Sequence, residues 1–327
     1  MIKITVVAPA NIAFIKYWGK RSEKFRIPLN DSISMNLSGA ATTTTVEFSS
    51  AFEKDDITFS GETISEKEIE RITTHLDRVR RIAHKKIYAR VVTKNSFPKG
   101  TGIASSASGF AALTVAATQA IDLRLSEKAV TILARIGSGS ACRSIPDGFS
   151  WWHAGKKSSD SYAESFVPST WWDIRDILCV VSTEAKKISS TEGMENIRTS
   201  PYWQERILGI PEKIGRVQQA IKERNINTLG SIIEEDAISM HCVMMTQKPP
   251  LFYWNDTTLR VMEGVYALRA KGFPAYFTID AGPNVHIICR SEEEQIIVEE
   301  MKRINGVQSI IVNEPCLGAH SISSHLF

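Results

Sequence analysis

The sequence is poor in cysteine, in long apolar runs and in charge of one sign. Its five cysteines (Cys142, Cys179, Cys242, Cys289 and Cys316) are scattered along 327 residues, with no pair at CxxC spacing. That excludes a cysteine-built zinc module and a dithiol redox pair, and it suits a reducing compartment. No apolar stretch approaches the roughly 20 residues of a membrane-spanning helix, so a membrane is not an expected partner. The opening Met1-Ile2-Lys3-Ile4-Thr5-Val6-Val7 reads as a strand without a signal-peptide cleavage pattern, and the expected location is cytoplasmic. The formal net charge is only +3, and short runs such as Arg78-Val79-Arg80-Arg81 fall on an amphipathic helical pattern whose charged face is solvated. Nucleic acid is therefore not an expected partner either. Pro/Gly linkers, internal repeats and a GxxxxGK[ST] phosphate loop are all missing.

What is present is an ordinary globular composition, 43% hydrophobic and 23% charged. A chain of this length predicts one large or two intimately packed domains. Periodicity places strands at 2–8, 42–48 and 87–93, a helix from Glu66 to Lys86, a buried helix from Ala107 to Ala120 and another from Ser126 to Ile136. The segment Phe149 to His153 reads as a further strand. After the apolar strand Ile177–Val181 come helices at about 201–224, 226–244 and 255–271, then strands Ala275–Asp280 and Val285–Cys289, a helix Glu292–Arg303 and a strand Ser309–Val312. This predicts an α+β chain of two lobes, 1–174 and 175–327, with a ligand site between them.

Four segments carry chemistry. Phe97-Pro98-Lys99-Gly100-Thr101-Gly102-Ile103-Ala104-Ser105-Ser106 is a Gly/Ser turn opening into an apolar helix, where unpaired N–H groups and the helix dipole favour an anion. The same pattern also serves as an N-cap with a tight turn. Ala8-Pro9-Ala10-Asn11-Ile12-Ala13-Phe14-Ile15-Lys16-Tyr17-Trp18-Gly19-Lys20-Arg21 runs from a strand into cations and a phenol that suit a polyanion, or equally a solvated turn with aromatic anchors. Gly137-Ser138-Gly139-Ser140-Ala141-Cys142-Arg143-Ser144 reads as a second anion cradle with a planar fork, or as a loop with a surface ion pair. Thr278-Ile279-Asp280-Ala281-Gly282-Pro283-Asn284 sets an acid at a strand edge, where it suits a general base or ordinary turn chemistry.

The order PxNIxxxKYWGK, FPxxxGxASSAxGFAAL, GSGSACRS and DAGPN resembles the GHMP kinase superfamily and, within it, the diphosphomevalonate decarboxylase family. Pro28-Leu29-Asn30-Asp31-Ser32-Ile33-Ser34, Ser189-Ser190-Thr191-Glu192-Gly193-Met194 and His241 with Pro249-Pro250 extend the likeness from residue 8 to 284. The resemblance implies an N-terminal lobe like ribosomal protein S5 domain 2 and a ferredoxin-like C-terminal lobe. It implies that ATP, with Mg2+, phosphorylates the 3-hydroxyl of (R)-5-diphosphomevalonate, after which phosphate and CO2 leave and isopentenyl diphosphate forms. It also implies a homodimer.

By the same resemblance Asp280 takes or orients the hydroxyl proton, Lys16 holds that acid ionised, and Arg143 clamps the C1 carboxylate. Asn11, Tyr17, Trp18, Gly19, Lys20, Arg71, Ser138, Gly139, Ser140, Ala141, Cys142, Ser190 and Thr191 match the substrate-binding segments. Gly100, Gly102, Ala104, Ser105 and Ser106 match the ATP-phosphate loop, with Ser106 also toward the metal. His241 reads either as functional or as a buried ring bonded within its helix, and Trp151-Trp152 and Trp171-Trp172 read as packing residues. Lys99 departs from the small, uncharged residues usual in the loop. Three alternatives share the scaffold: a 5-phosphomevalonate decarboxylase, a mevalonate 3-kinase that retains CO2, and a non-catalytic binding protein.

Overall fold

A computed structural model describes residues 2–61, 63–97, 105–184 and 188–327. In chain order its elements are β1 (Lys3–Ile15), β2 (Lys20–Ser22), β3 (Ile27–Pro28), β4 (Ser32–Ser49), β5 (Asp56–Phe59), α1 (Glu66–Ile82), β6 (Tyr88–Asn95), α2 (Ser105–Ala120), α3 (Glu127–Gly137), β7 (Phe149–Trp152) and β8 (Ala163–Val167). There follow β9 (Ile174–Val180), α4 (Ser190–Gly193), α5 (Trp203–Glu223), α6 (Ile226–Thr246), α7 (Asp256–Ala270), β10 (Tyr276–Thr278), β11 (Val285–Arg290), α8 (Glu294–Lys302), β12 (Ser309–Asn313) and β13 (His320–Ile322).

The first sheet runs β13-β1-β4-β6-β5, with β7 paired to β4 and β8 to β7. The second is four-stranded, in the order β10-β11-β9-β12. The final strand thus returns to the N-terminal sheet, Thr5 facing Ile322. Both sheets and their helices give the α+β, two-lobed architecture expected.

Strands β1 and β4 are much longer than the periodic windows 2–8 and 42–48. Their pairing continues past Pro9 because the register shifts there, at Pro9/Ala10, and again at Ala13/Ile15; a bulge accommodates a residue with no N–H to donate. Beyond the shift, Asn11 faces Asn36, Ile12 faces Met35 and Ala13 faces Ser34. Period-two alternation therefore sends Ile12, Phe14, Ile33 and Met35 into one core and Asn11, Ser32 and Asn36 to the opposite face. This polar face is what the site is built on.

The same core joins the lobes. Ile12, Phe14, Ile33 and Met35 cluster with Leu178 of β9, Ile214 and Val217 of α5 and Ile232 of α6. A shared core needs no linker, which is why none marks the boundary. The tryptophan pairs pack as expected: Trp152 and Trp172 are buried and Trp171 donates to the Ile221 carbonyl at 3.0 Å.

Helix α1 starts at a capping box, Ser65 with Glu68. It stops four residues short of the expected Lys86, since His84 turns left-handed at φ 53°. No helix among the described residues is long and apolar enough to cross a membrane.

Candidate active site

Asp280 sits between β10 and β11, and its carboxylate accepts from the Lys16 ammonium at 2.7 Å. The lysine is buried at 1% exposure, whereas the acid keeps 32% and so faces the cleft. Both ends of the Lys16 backbone are fixed. Its N–H donates to Asp236 at 2.8 Å, and its carbonyl accepts from Asn30 at 3.1 Å. Asp236 is in turn gripped by both terminal nitrogens of Arg206, at 2.9 and 3.1 Å.

This buried fork ties α5 and α6 to the strand end that carries Lys16. Asp236→Ala would strand a buried guanidinium, and we expect a stability loss of about 3–5 kcal/mol in urea unfolding. A loss below about 1 kcal/mol would show that the fork is not structural.

Burial works to raise the Asp280 pKa, but the Lys16 ammonium, with His286 and Arg143, outweighs it and holds the acid down at about 2. For Lys16 burial prevails and its pKa falls below the ordinary value, with Asp280 and Asp236 opposing. The Asp280 carbonyl accepts from the Gly282 N–H at 2.7 Å and is 3.1 Å from Nε2 of His241. The His241 ring therefore bonds the acid's own backbone rather than its helix. Burial first, with the Lys16 charge behind it, lowers the His241 pKa to about 3, so the ring is neutral and donates.

Arg143 lies in a short 3₁₀ helix, Gly139–Ser144, which replaces the loop read from the sequence. The guanidinium is buried, gives Nε to Asn11 at 3.1 Å and one terminal nitrogen to Ser32 at 2.8 Å, and lies 5.7 Å from the Trp152 ring centre. Asn11 completes the clamp by donating to Ser144 at 2.8 Å. No carboxylate among the described residues pairs with Arg143, and the remaining edge opens on the cleft. Tyr17 stacks edge-on against Trp152, with centroids 4.7 Å apart, and only glycine fits beside it: a Cβ on Gly139 would stand 2.7 Å from the ring. Burial raises the Tyr17 pKa, so its buried, unpartnered hydroxyl is a neutral donor.

The cleft holds about 750 Å³ of empty space. Of the residues expected at the site, it is lined by Lys16, Tyr17, Trp18, Lys20, Ser106, Ser138, Gly139, Ser140, Arg143, Ser190, Thr191 and Asp280. Asn11, Gly19, Ala141 and Cys142 stand behind them: Asn11 against Arg143, Gly19 at φ 103° against Leu29 and Ile197, Ala141 and Cys142 fully buried. Arg71 and Ser105 line a neighbouring pocket of about 620 Å³, walled by Phe59, Ile72, Val91, Phe110 and Leu113. Ser106 belongs to both spaces and is 3.2 Å from the Ser138 hydroxyl. Gly100, Gly102 and Ala104, with Lys99, lie outside the described residues. Arg26, Met194 and Met240 line the cleft unforeseen. No sequence motif marks Arg26, Met240 lies on the helical pattern 226–244, and Met194 closes the segment Ser189–Met194.

Two family models cover the chain, the diphosphomevalonate decarboxylase-like N-terminal domain at residues 8–163 and the mevalonate 5-diphosphate decarboxylase C-terminal domain at 176–317. A diphosphomevalonate decarboxylase of Schizosaccharomyces pombe is 36% identical over 91% of this chain and 81% of its own. The chain belongs to the diphosphomevalonate decarboxylase family. A crystal structure of mevalonate diphosphate decarboxylase from Staphylococcus aureus superimposes at a TM-score of 0.93, with 38% identity over 98% of each chain. A second family structure, MDDEF in complex with MVAPP, AMPPCP and magnesium, gives 0.92 and 34% identity over 99% of each.

Proposed function

We propose that this family member carries out the ATP-dependent decarboxylation of 5-diphosphomevalonate to isopentenyl diphosphate, with ADP, phosphate and CO2 as the other products. The observation that carries the reading is the Lys16–Asp280 pair, open to a cleft that also receives the free edge of Arg143. A 3-hydroxyl near Asp280 donates to its carboxylate, which aligns the oxygen lone pair for attack on a phosphoryl group. Lys16 offsets negative charge on the group being transferred. Arg143 holds the C1 carboxylate, and the hydroxyls of Tyr17 and Ser138 with the ammonium of Lys20 meet the phosphorylated end.

The nucleotide fits the two joined spaces. The apolar pocket by Phe110 suits a purine base, and Ser105 and Ser106 at the start of α2 suit its phosphates. Among the described residues no group of three His, Cys, Asp or Glu side chains gathers around a metal position. Mg2+, which neutralises charge on the phosphates when bound, would thus be held by those phosphates and the Ser106 hydroxyl.

We read residues 1–174 as the nucleotide lobe and 175–327 as its partner, apart from the strand His320–Ile322 that rejoins the first sheet, in a cytoplasmic homodimer. The five cysteines are all free, in keeping with a reducing compartment; equilibrium sedimentation tests the dimer.

Purified protein with Mg2+ and ATP is expected to release ADP and CO2 in equal amounts from 5-diphosphomevalonate, and far less from the 5-phosphate or from mevalonate. ADP without CO2 would instead identify a 3-kinase. Turnover of none of the three would identify a binding protein.

A further inference from the structure

Four cations line the cleft among the described residues: Lys16, Lys20, Arg26 and Arg143. Lys16 is matched by Asp280, Lys20 by Glu23, and Arg143 by Asn11 and Ser32. Arg26 spends only its Nε, on the carbonyl of Ile136 at 3.2 Å, and no carboxylate among the described residues pairs with it. Its two terminal nitrogens are left for a ligand.

The placement of that guanidinium is fixed by backbone on both sides. Arg26 closes the turn between β2 and β3 in the left-handed region, at φ 48°, with its N–H on the Glu23 carbonyl at 3.2 Å. A long side chain held there by its surroundings points to a use for the geometry. The bond to Ile136 then tethers the head two residues before Ser138, at the end of α3.

Nearby charge makes an anion the fitting ligand. Arg71 and Arg78 both lie in the field of Arg26, which adds to burial in lowering their pKa values. The Tyr17 hydroxyl feels both Arg26 and Arg143, and all three residues line the cleft. The hydroxyl chemistry belongs to Asp280, Lys16 and Arg143. Arg26 is tethered two residues before Ser138, which with Tyr17 and Lys20 meets the phosphorylated end.

We propose that Arg26 is a specificity-determining residue, its free edge taking the outer phosphate of the diphosphate. The assignment rests on the proposed function. A monophosphate ends short of this position and is met by Tyr17, Ser138 and Lys20 alone. Lys20 is already partly neutralised by Glu23, so the further negative charge of a diphosphate falls to Arg26.

The test compares Arg26→Asn with Arg26→Lys, asparagine being chosen because it tolerates a positive φ. Dissociation constants for 5-diphosphomevalonate and 5-phosphomevalonate are measured by calorimetry, alongside kcat and KM. Arg26→Asn is expected to weaken the diphosphate roughly ten- to hundredfold, with KM rising in step, and the monophosphate by less than about threefold. Arg26→Lys, which keeps the charge but not the fork, should fall between wild type and Arg26→Asn. It also keeps the contrast readable if asparagine unsettles the hairpin. Equal weakening of both ligands, or of neither, while the wild-type protein still turns over the diphosphate, overturns the role of Arg26 alone. A wild-type protein that binds the diphosphate without releasing ADP or CO2 overturns the function, and the contrast in binding would still stand or fall by itself.

Discussion

Replacing Asp280 with asparagine is expected to lower kcat by about a hundred- to ten-thousandfold while ATP affinity changes little. The amide still accepts from Lys16, so the buried ammonium keeps a partner and the loss reports on chemistry more than on folding. Single-turnover measurement of ADP and CO2 checks it, and residual kcat above about a tenth of wild type would remove Asp280 from the mechanism. Thermal melting should move little for asparagine and more for Asp280→Ala, which strands the Lys16 ammonium.

The low pKa of Asp280 sharpens what kind of base it is. Held at about 2 by Lys16 against the pull of burial, the carboxylate is a weak proton acceptor at neutral pH. A weak base suits a loose phosphoryl transfer, where the hydroxyl need not ionise early and the main gain is alignment. Because the folded-state pKa is depressed, the pair's contribution to stability is complete above the ordinary carboxylate range near pH ~4. It is lost only as the pH falls through about 2. Between pH 5 and 8 Asp280 stays ionised, so an acid limb in the rate profile there belongs to another group. The second ionisation of substrate phosphate, with a pKa of about 6, is one such group.

Much of this site was legible in the sequence because its parts are local. Asp280, Lys16 and Arg143 each lie in a short segment whose residue types are unusual together, and all three meet in one cleft. What failed to show was the geometry that long-range pairing creates. The polar face of Asn11, Ser32 and Asn36 depends on β1 and β4 running on through the shift at Pro9, and a proline inside a strand pattern argues against that extension. Nothing local in Glu23-Lys24-Phe25-Arg26 marks the tether of Arg26 to Ile136, 110 positions away. Arg71 illustrates the reverse: its helix was legible, but the ring beneath it, Phe110 at 5.1 Å, places it on the neighbouring pocket.

The second large effect is expected at Arg143. With Nε on Asn11 and one terminal nitrogen on Ser32, the guanidinium cannot swing, so its open edge has a single direction. A C1 carboxylate on that edge fixes the C1–C2 bond relative to C3. When the phosphorylated oxygen leaves C3 with its electron pair, the C1–C2 pair can then move into a C2–C3 double bond as CO2 departs. A tight ion pair would stabilise the carboxylate and slow this step, and the hydrogen bonds that Arg143 already makes within the protein temper the clamp. Arg143→Gln should therefore reduce kcat/KM by about 2–5 kcal/mol, roughly thirty- to several-thousandfold, and Arg143→Lys should not restore it, because the fork rather than the charge does the aligning. If alignment is the function, the remaining turnover should also lose its coupling, with ADP formed in excess of CO2. A variant that keeps the two products equal and loses less than about tenfold would show that the carboxylate is held by something other than Arg143.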